Sequence, residues 1–326
     1  MKIALLHRYP ADQIKPTNAA FPYLQSMGID VLTFKKFDRL GNFKKFWKSV
    51  AWIFYAPMLV FGKKYDVIYC DDSYPFYPAL VKFVSPRSVV VIRLGDLHLM
   101  YYYSGIAYKF LHFFEKLTWK MVDLILPISN EMTYYVFHET GLYPTTVLDP
   151  VDPKDFPFSK RNSGSVMFHG TLTRNKNVDL MIEAARRMPA VEFEIIGSGP
   201  DLKRLMKMAP KNVHFHGWVP FKSVADVISN CAVGVALRSD NPGNEYVVTS
   251  PFLQYGVMGK PCLVTRRRVF GDYEWQFSGV DEMVEKLKLL FVVHQQEGQK
   301  LRKYILEHHD AEKIGGRIWE ILTALS

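Results

Sequence analysis

Apolar residues along this chain recur in two alternating patterns: short runs, and stripes at helical spacing. Residues 2–6 and 29–34 are runs of the first kind, and the stretch between them reads as a helix over 19–27 that Gly28 stops. Runs at 65–70, 89–92 and 122–129 repeat the strand pattern, and Ser129 stands where it would cap a following helix. Over 149–165 the pattern breaks: Pro150, Pro153 and Pro157, then Ser159, Asn162, Ser163 and Gly164, read as a linker. Beyond it, residues 166–201 are the clearest unit in the chain. A strand at 166–168 runs into a glycine-containing loop, and Val178, Met181, Ile182 and Ala185 then form a helical stripe. Next, Val191, Phe193 and Ile195 alternate with Glu192 and Glu194 as in a strand, which ends at Gly197, Ser198, Gly199 and Pro200. Further strands fall at 213–219, 232–237 and 261–265. Ser250 and Pro251 read as N-cap and first residue of a helix that reaches Met258, and another helix covers 281–290. The last helix, 311–325, carries Ile314, Ile318, Ile321, Leu322 and Leu325 on one stripe, which Gly315 and Gly316 weaken.

Strands alternating with helices predict an α/β fold with parallel sheets, and ligands in such sheets bind at the strand C-termini. One candidate and one exclusion follow. Lys176 stands beside Asn177, which reads as the N-cap of the helix after 166–168, so amides and a cation would meet there as an anion site. The first strand runs into His7, Arg8, Tyr9 and Pro10 rather than G-x-G-x-x-G, which argues against a dinucleotide in the first half.

A length of 326 residues suits two domains, and 48% apolar with 22% charged residues suffices for full cores. Cys70, Cys231 and Cys262 are far apart, which suggests buried thiols in a reducing, intracellular compartment rather than a disulfide framework or a zinc site. The net charge of +9 favours an anionic partner. Residues 35–64 sharpen this: Lys35, Lys36, Arg39, Lys44, Lys45, Lys48, Lys63 and Lys64 stand against Asp38 alone. They flank the aromatic run 46–55, with Trp47 and Trp52, as in a helix resting on anionic lipid that Pro57 would cut short. Neither a signal peptide nor a membrane span is expected, so the location expected is cytoplasmic and peripheral to the membrane. The aromatic residues of 99–114 would pack a core or line a groove for a lipid or sugar. Asp71 and Asp72 read as an exposed turn rather than a working carboxylate pair. Nucleic acid is not expected as a partner, because no nucleic-acid-binding pattern accompanies the basic stretch.

The motifs G-T-L-x-x-x-K at 170–176, I-I-G-S-G-P at 195–200, H-G-W-V-P at 216–220 and S-P-x-x-Q-Y-x-x-x-G-K-P at 250–261 resemble the nucleotide-sugar-binding domain of retaining GT-B glycosyltransferases of family 4. Y-D-V-I-Y at 65–69, V-D-L-I-L-P-I-S at 122–129 and V-D-P-x-D-F at 151–156 resemble the same family's first domain and linker. The resemblance implies two Rossmann-like domains facing across a cleft: 1–155 for the acceptor, 156–305 for the donor, and a helix over 306–326 crossing back to the first. It implies retaining transfer of a sugar from a UDP- or GDP-type donor to a lipid-linked or glycan acceptor, with no cofactor and no metal. A non-catalytic subunit that binds sugar nucleotide or a partner enzyme is the alternative. Lys176 matches the family's phosphate-binding lysine, and Gly170, Thr171, Gly197, Gly199, Thr249 and Ser250 would line the donor. Thr171 replaces the usual arginine, so Arg174 would supply the second cation. Gln254 replaces the glutamate that accepts the ribose hydroxyls, and Glu245 is one position away from the family's sugar-contacting glutamate. Leu94 stands where the family has a histidine, which leaves Asp96 or His98 to reach the reaction centre. Lys44, Lys45, Trp47, Lys48 and Trp52 would meet the membrane or the acceptor.

Overall fold

The structure, a computed structural model, describes residues 1–8, 18–33, 42–71 and 76–325, with the backbone alone over 42–49. The chain divides into two compact units, Met1–Pro150 with Ala311–Ser326, and Val151–Asp310.

In the first unit the elements follow the order β1 (Ile3–His7), α1 (Phe21–Ser26), β2 (Asp30–Thr33), α2 (Asn42–Val60), β3 (Val67–Cys70), α3 (Tyr77–Val84), β4 (Val89–Leu94), α4 (His98–Tyr102), α5 (Gly105–Met121), β5 (Leu124–Pro127) and α6 (Asn130–Thr140). The strands form one parallel sheet in the order β2-β1-β3-β4-β5. The strands are short and mostly apolar on both faces, because helices cover both sides of a parallel sheet. Ser129 caps α6 as its position predicts, its Oγ accepting from Met132 N at 3.1 Å. Helix α2 is longer than expected: it runs through Pro57 to Val60. The proline falls near the end of the helix, where only one hydrogen bond is lost and Phe61 N still bonds the Pro57 carbonyl at 3.0 Å. The final helix of the chain, α12 (Ala311–Ala324), belongs to this unit, with Ile314, Ile318 and Leu322 in one core with Leu5, Leu24, Val67 and Val91. Gly315 is more than a weak point there, since a Cβ would stand 3.0 Å from Tyr23 Cβ and hold α12 away from α1.

The second unit comprises β6 (Val166–His169), α7 (Asp179–Arg187), β7 (Phe193–Ile196), α8 (Leu202–Met208), β8 (Val213–Gly217), α9 (Phe221–Ile228), β9 (Val233–Ala236), α10 (Ser250–Val257), β10 (Cys262–Thr265), β11 (Gln276–Phe277) and α11 (Val280–His308). Its parallel sheet has the order β11-β10-β9-β6-β7-β8. Helix α11 extends 29 residues, well past the predicted 281–290, and its buried Met283, Leu287, Leu290, Leu301 and Ile305 reach both of the unit's cores. The three cysteines are buried and are not in disulfides. Among the described residues no helix is long and apolar enough to cross a membrane.

Candidate functional site

The loops after β6 and β7 are zipped to one another. Gly170 N bonds the Ile196 carbonyl at 2.9 Å and Leu172 N bonds the Ser198 carbonyl at 3.0 Å. Gly170 and Gly197 have φ of +147° and +138°, and a Cβ on Gly197 or Gly199 would collide with the Gly170 or Leu172 carbonyl. The first need for these glycines is therefore contact between the two loops. Thr171 is exposed at the turn.

Residues Arg174–Lys176 form a short 3-10 turn ended by Asn177 in the left-handed conformation (φ +49°). This corrects the predicted cap: α7 starts at Asp179, Val178 is its N-cap, and no side chain caps it. Asp179 occupies the first turn and is ion-paired with Arg204, whose Nη2 donates to Oδ2 at 2.9 Å; that bond pulls the carboxyl below its usual range. A carboxylate already meets the positive end of α7, which leaves little call for a second anion there. Arg174 is exposed and stands 3.5 Å from Asp201.

Lys176 is held by its neighbours instead. Asn175 Oδ1 accepts from Ser239 Oγ at 2.7 Å and from Asn244 Nδ2 at 3.0 Å, and Ser239 N bonds the Asn175 carbonyl at 2.9 Å. The lysine turn is thus pinned to the loop that follows β9. On its other side, the Lys176 charge acts on His169, the last residue of β6. His169 is buried, donates from Nε2 to Gln254 Oε1 at 2.5 Å, and packs edge-on against Tyr255. Burial above all, with Lys176 adding to it, lowers the imidazole pKa to about 4, so the ring is neutral at pH 7. With Oε1 engaged by His169, the amide nitrogen of Gln254 is the group left to donate to a ligand oxygen.

Gln254 lies on α10, whose start differs by one residue from the expectation. Thr249 is the N-cap, Ser250 is the first helical residue, and no side chain caps the helix. Thr249 Oγ1, His169 Nδ1 and Asn244 Oδ1 are buried without a hydrogen-bond partner. Buried polar atoms are seldom left so in a finished interior. Gln254, His169, Lys176 and the uncapped start of α10 therefore gather at the C-terminal end of the second sheet, where α/β folds bind ligands. Glu245 faces elsewhere: its Oε2 accepts from Arg268 N at 2.9 Å, and Arg267 lies 3.7 Å from its other oxygen.

In the first unit, Asp71, Arg93 and Asp149 meet at the same end of the sheet. Asp71 is buried rather than an exposed turn, which corrects the sequence reading, while Asp72 lies outside the described residues. Asn18 Nδ2 donates to Asp71 Oδ2 at 2.8 Å, Arg93 Nη1 lies 3.5 Å from Oδ1, and Arg93 Nη2 pairs with Asp149. Burial pushes both carboxyls up, opposed by Arg93. Asp96 caps the next residue, Leu97 N, at 3.0 Å and acts on Asp149 through its charge. His98 begins α4, half-buried, and Leu94 is buried at the end of β4. Trp52, expected at a membrane, is fully buried against Tyr77, because it faces α3 rather than outward. The side chains of Lys44, Lys45, Trp47 and Lys48 lie outside the described part. His169, Asn175, Ser239, Asn244, Arg93 and Asp149 were not singled out by sequence. Only His169, directly before a loop glycine at a strand end, carried a local signal.

Residues 163–305 match the family described as Glycosyl transferases group 1. No curated protein sequence matches the chain. Among solved structures, sucrose-phosphate synthase from Thermosynechococcus elongatus superposes with a TM-score of 0.79 at 12% identity, over 100% of both chains. Anabaena HepE, solved with UDP and glucose, gives 0.72 at 15% identity over 99% of each chain. The lipopolysaccharide outer core galactosyltransferase WaaB gives 0.66 at 15%, over 99% of this chain and 100% of that one. At such identities the likenesses speak for the fold, and the family match speaks for the second unit. The chain shares its fold with these GT-B glycosyltransferase structures, and its second unit is similar to the group 1 glycosyl transferases over residues 163–305.

Proposed function

We propose that the chain transfers a sugar, with retention of configuration, from a UDP- or GDP-type nucleotide-diphosphate sugar to a lipid-linked or glycan acceptor. The second unit takes the donor and the first the acceptor. One observation carries this reading: His169 bonds Gln254 while feeling the charge of Lys176, so the lysine turn and α10 serve one end of the sheet. UDP in the Anabaena neighbour supports a UDP-type donor.

Glycosyl transfer sheds a diphosphate, and its developing negative charge is the main thing the protein has to stabilise. Lys176 and the uncapped amides at Ser250 meet that charge, and Arg174 adds to it by exchanging Asp201 for phosphate. Gly170, Thr171, Gly197 and Gly199 shape the loops around the diphosphate. Thr249 and Gln254 bind the nucleotide, with Gln254 donating to a ribose oxygen. Glu245 orders the 267–268 loop and touches the donor sugar only by releasing Arg268. Asp96 or His98 reaches the reaction centre from the first unit. The reaction runs on the cytoplasmic face of a membrane, with the chain resting on anionic lipid.

Thermal stabilisation by UDP, GDP and their sugar conjugates tests the donor reading, since a ligand that prefers the native state raises the melting temperature. A shift with one nucleotide series and transfer to a lipid-linked acceptor are expected. Indifference to every nucleotide would sink the proposal.

A further inference from the structure

Helix α5 is built inside out. Its inward face carries His112, Glu115 and Thr118 beside Trp119, all buried. His112 is bonded to Glu115 at 2.9 Å and to Glu139 at 3.2 Å, and stacks on Tyr108 with centroids 5.2 Å apart. Its outward face carries Ile106, Phe110, Phe113, Phe114, Leu117 and Met121, every one exposed, Ile106 by 87% and Phe110 by 62%. At about 100° per residue these six fall within a single stripe roughly 100° wide, the width of a face normally turned to a core. Lys109, Lys116 and Lys120, spaced by seven and four residues, form a row directly beside it. Ordinary surface helices have the opposite polarity, so this stripe is a face made to be covered.

We propose that the outward stripe of α5, with its row of lysines, is the face by which the chain docks on an anionic bilayer. This rests on the membrane reading above and names the surface that meets the lipid; the sequence had pointed to the basic–aromatic stretch of α2 instead. Charge decides the occupant. The three helices α2, α3 and α5 contain seven lysines and one acid, Glu115, and that acid is buried. α3 contacts both α2 and α5, and Phe54 and Met58 on α2, Phe61 just after it and Phe83 on α3 are exposed as well. A second copy docked stripe to stripe by twofold symmetry would bring lysine row against lysine row, of which only Lys116 is offset among the described pairs, by Glu139 of α6 at 3.1 Å. Anionic headgroups take up the lysines while the aromatic and aliphatic side chains enter the acyl boundary, as in helices that lie in the interface plane.

The test is co-sedimentation of the full chain with vesicles of phosphatidylcholine alone and with phosphatidylglycerol added. Three proteins are compared: wild type, the triple variant Phe110→Ser, Phe113→Ser, Leu117→Ser, and the pair Lys109→Glu, Lys120→Glu. These positions are exposed, so the variants should fold, and the melting temperature with and without UDP checks that. Wild type is expected to bind the anionic vesicles. The triple variant should lose about tenfold or more in partition, and the lysine pair about fivefold per lysine, with a weakening by salt. If wild type binds anionic vesicles and all variants bind equally, this face is wrong while the membrane reading stands. If wild type ignores every vesicle, the membrane reading falls and this face with it. A concentration-dependent dimer that the triple variant abolishes, with vesicle binding unchanged, makes a second copy the occupant and overturns the proposal.

Discussion

The two units put the same kind of sheet end to opposite uses. In the first, the charges at the strand C-termini are paired with one another: Arg93 lies between Asp71 and Asp149, Asn18 bonds Asp71, and Arg93 Nε alone of this cluster lacks a hydrogen-bond partner. In the second, a neutral histidine, an amide and a lysine are held in place from behind, and Thr249 Oγ1, Asn244 Oδ1 and His169 Nδ1 are left without partners. A cluster whose charges are paired with one another specifies a shape, whereas several neutral buried groups with unspent hydrogen-bonding capacity leave room for a ligand to complete them.

Variants break this contrast in graded ways. Arg93→Met leaves the buried Asp71 and the half-buried Asp149 without their cation, and should destabilise the chain by about 3 kcal/mol in urea unfolding, the lower end of the usual cost of stripping one partner from a buried pair. Unchanged stability would mean the cluster is wetter than its burial implies. Lys176→Ala should barely move the melting temperature yet lower kcat by about 10²–10³, the range for losing one preorganised group at a developing charge; a purely structural lysine would show the reverse.

His169 offers a pH test. Its folded pKa is about 4 and the unfolded value is about 6.5, so the unfolded chain binds more protons between them. Stability should therefore fall as pH drops from about 6.5 to about 4, by up to about 3 kcal/mol, and level off below. His169→Phe should flatten that window and weaken UDP binding about tenfold by freeing Gln254. A pH profile identical to wild type would show that the ring is not the group responsible. The smallest effect is expected from Asn175→Ala, which unpins the lysine turn from Ser239 and Asn244; about 1–2 kcal/mol of stability and a higher KM for the donor, with kcat nearly kept, would mark it as a positioning residue.

Much of the architecture was legible from local pattern. The strand at 166–168, the stripe of Val178, Met181, Ile182 and Ala185, and the Ser129 cap all reappear, because their signals lie within a few residues of each other. Boundaries failed where a competing local feature intervened: Pro57 did not end α2, and Asn177 became the left-handed end of a 3-10 turn instead of a cap. Of the candidate site, Lys176 and Gln254 were visible by motif, but the groups that orient them were not. Asn175 meets Ser239 and Asn244 across more than 60 residues of chain, and His169 meets Gln254 across 85, separations over which no periodicity carries information.

What the sequence determined by itself was the alternation of strand and helix, hence two parallel sheets with their ligand ends defined, because hydrophobic period and turn chemistry act over one element at a time. Only the tertiary structure decided which polar groups are satisfied and which faces are left bare. It buried Trp52 and Asp71, gave the start of α7 to Asp179 while leaving that of α10 uncapped, and turned the apolar stripe of α5 outward. Those outcomes depend on which elements become neighbours, and burial and hydrogen bonding are properties of neighbours in space rather than in sequence.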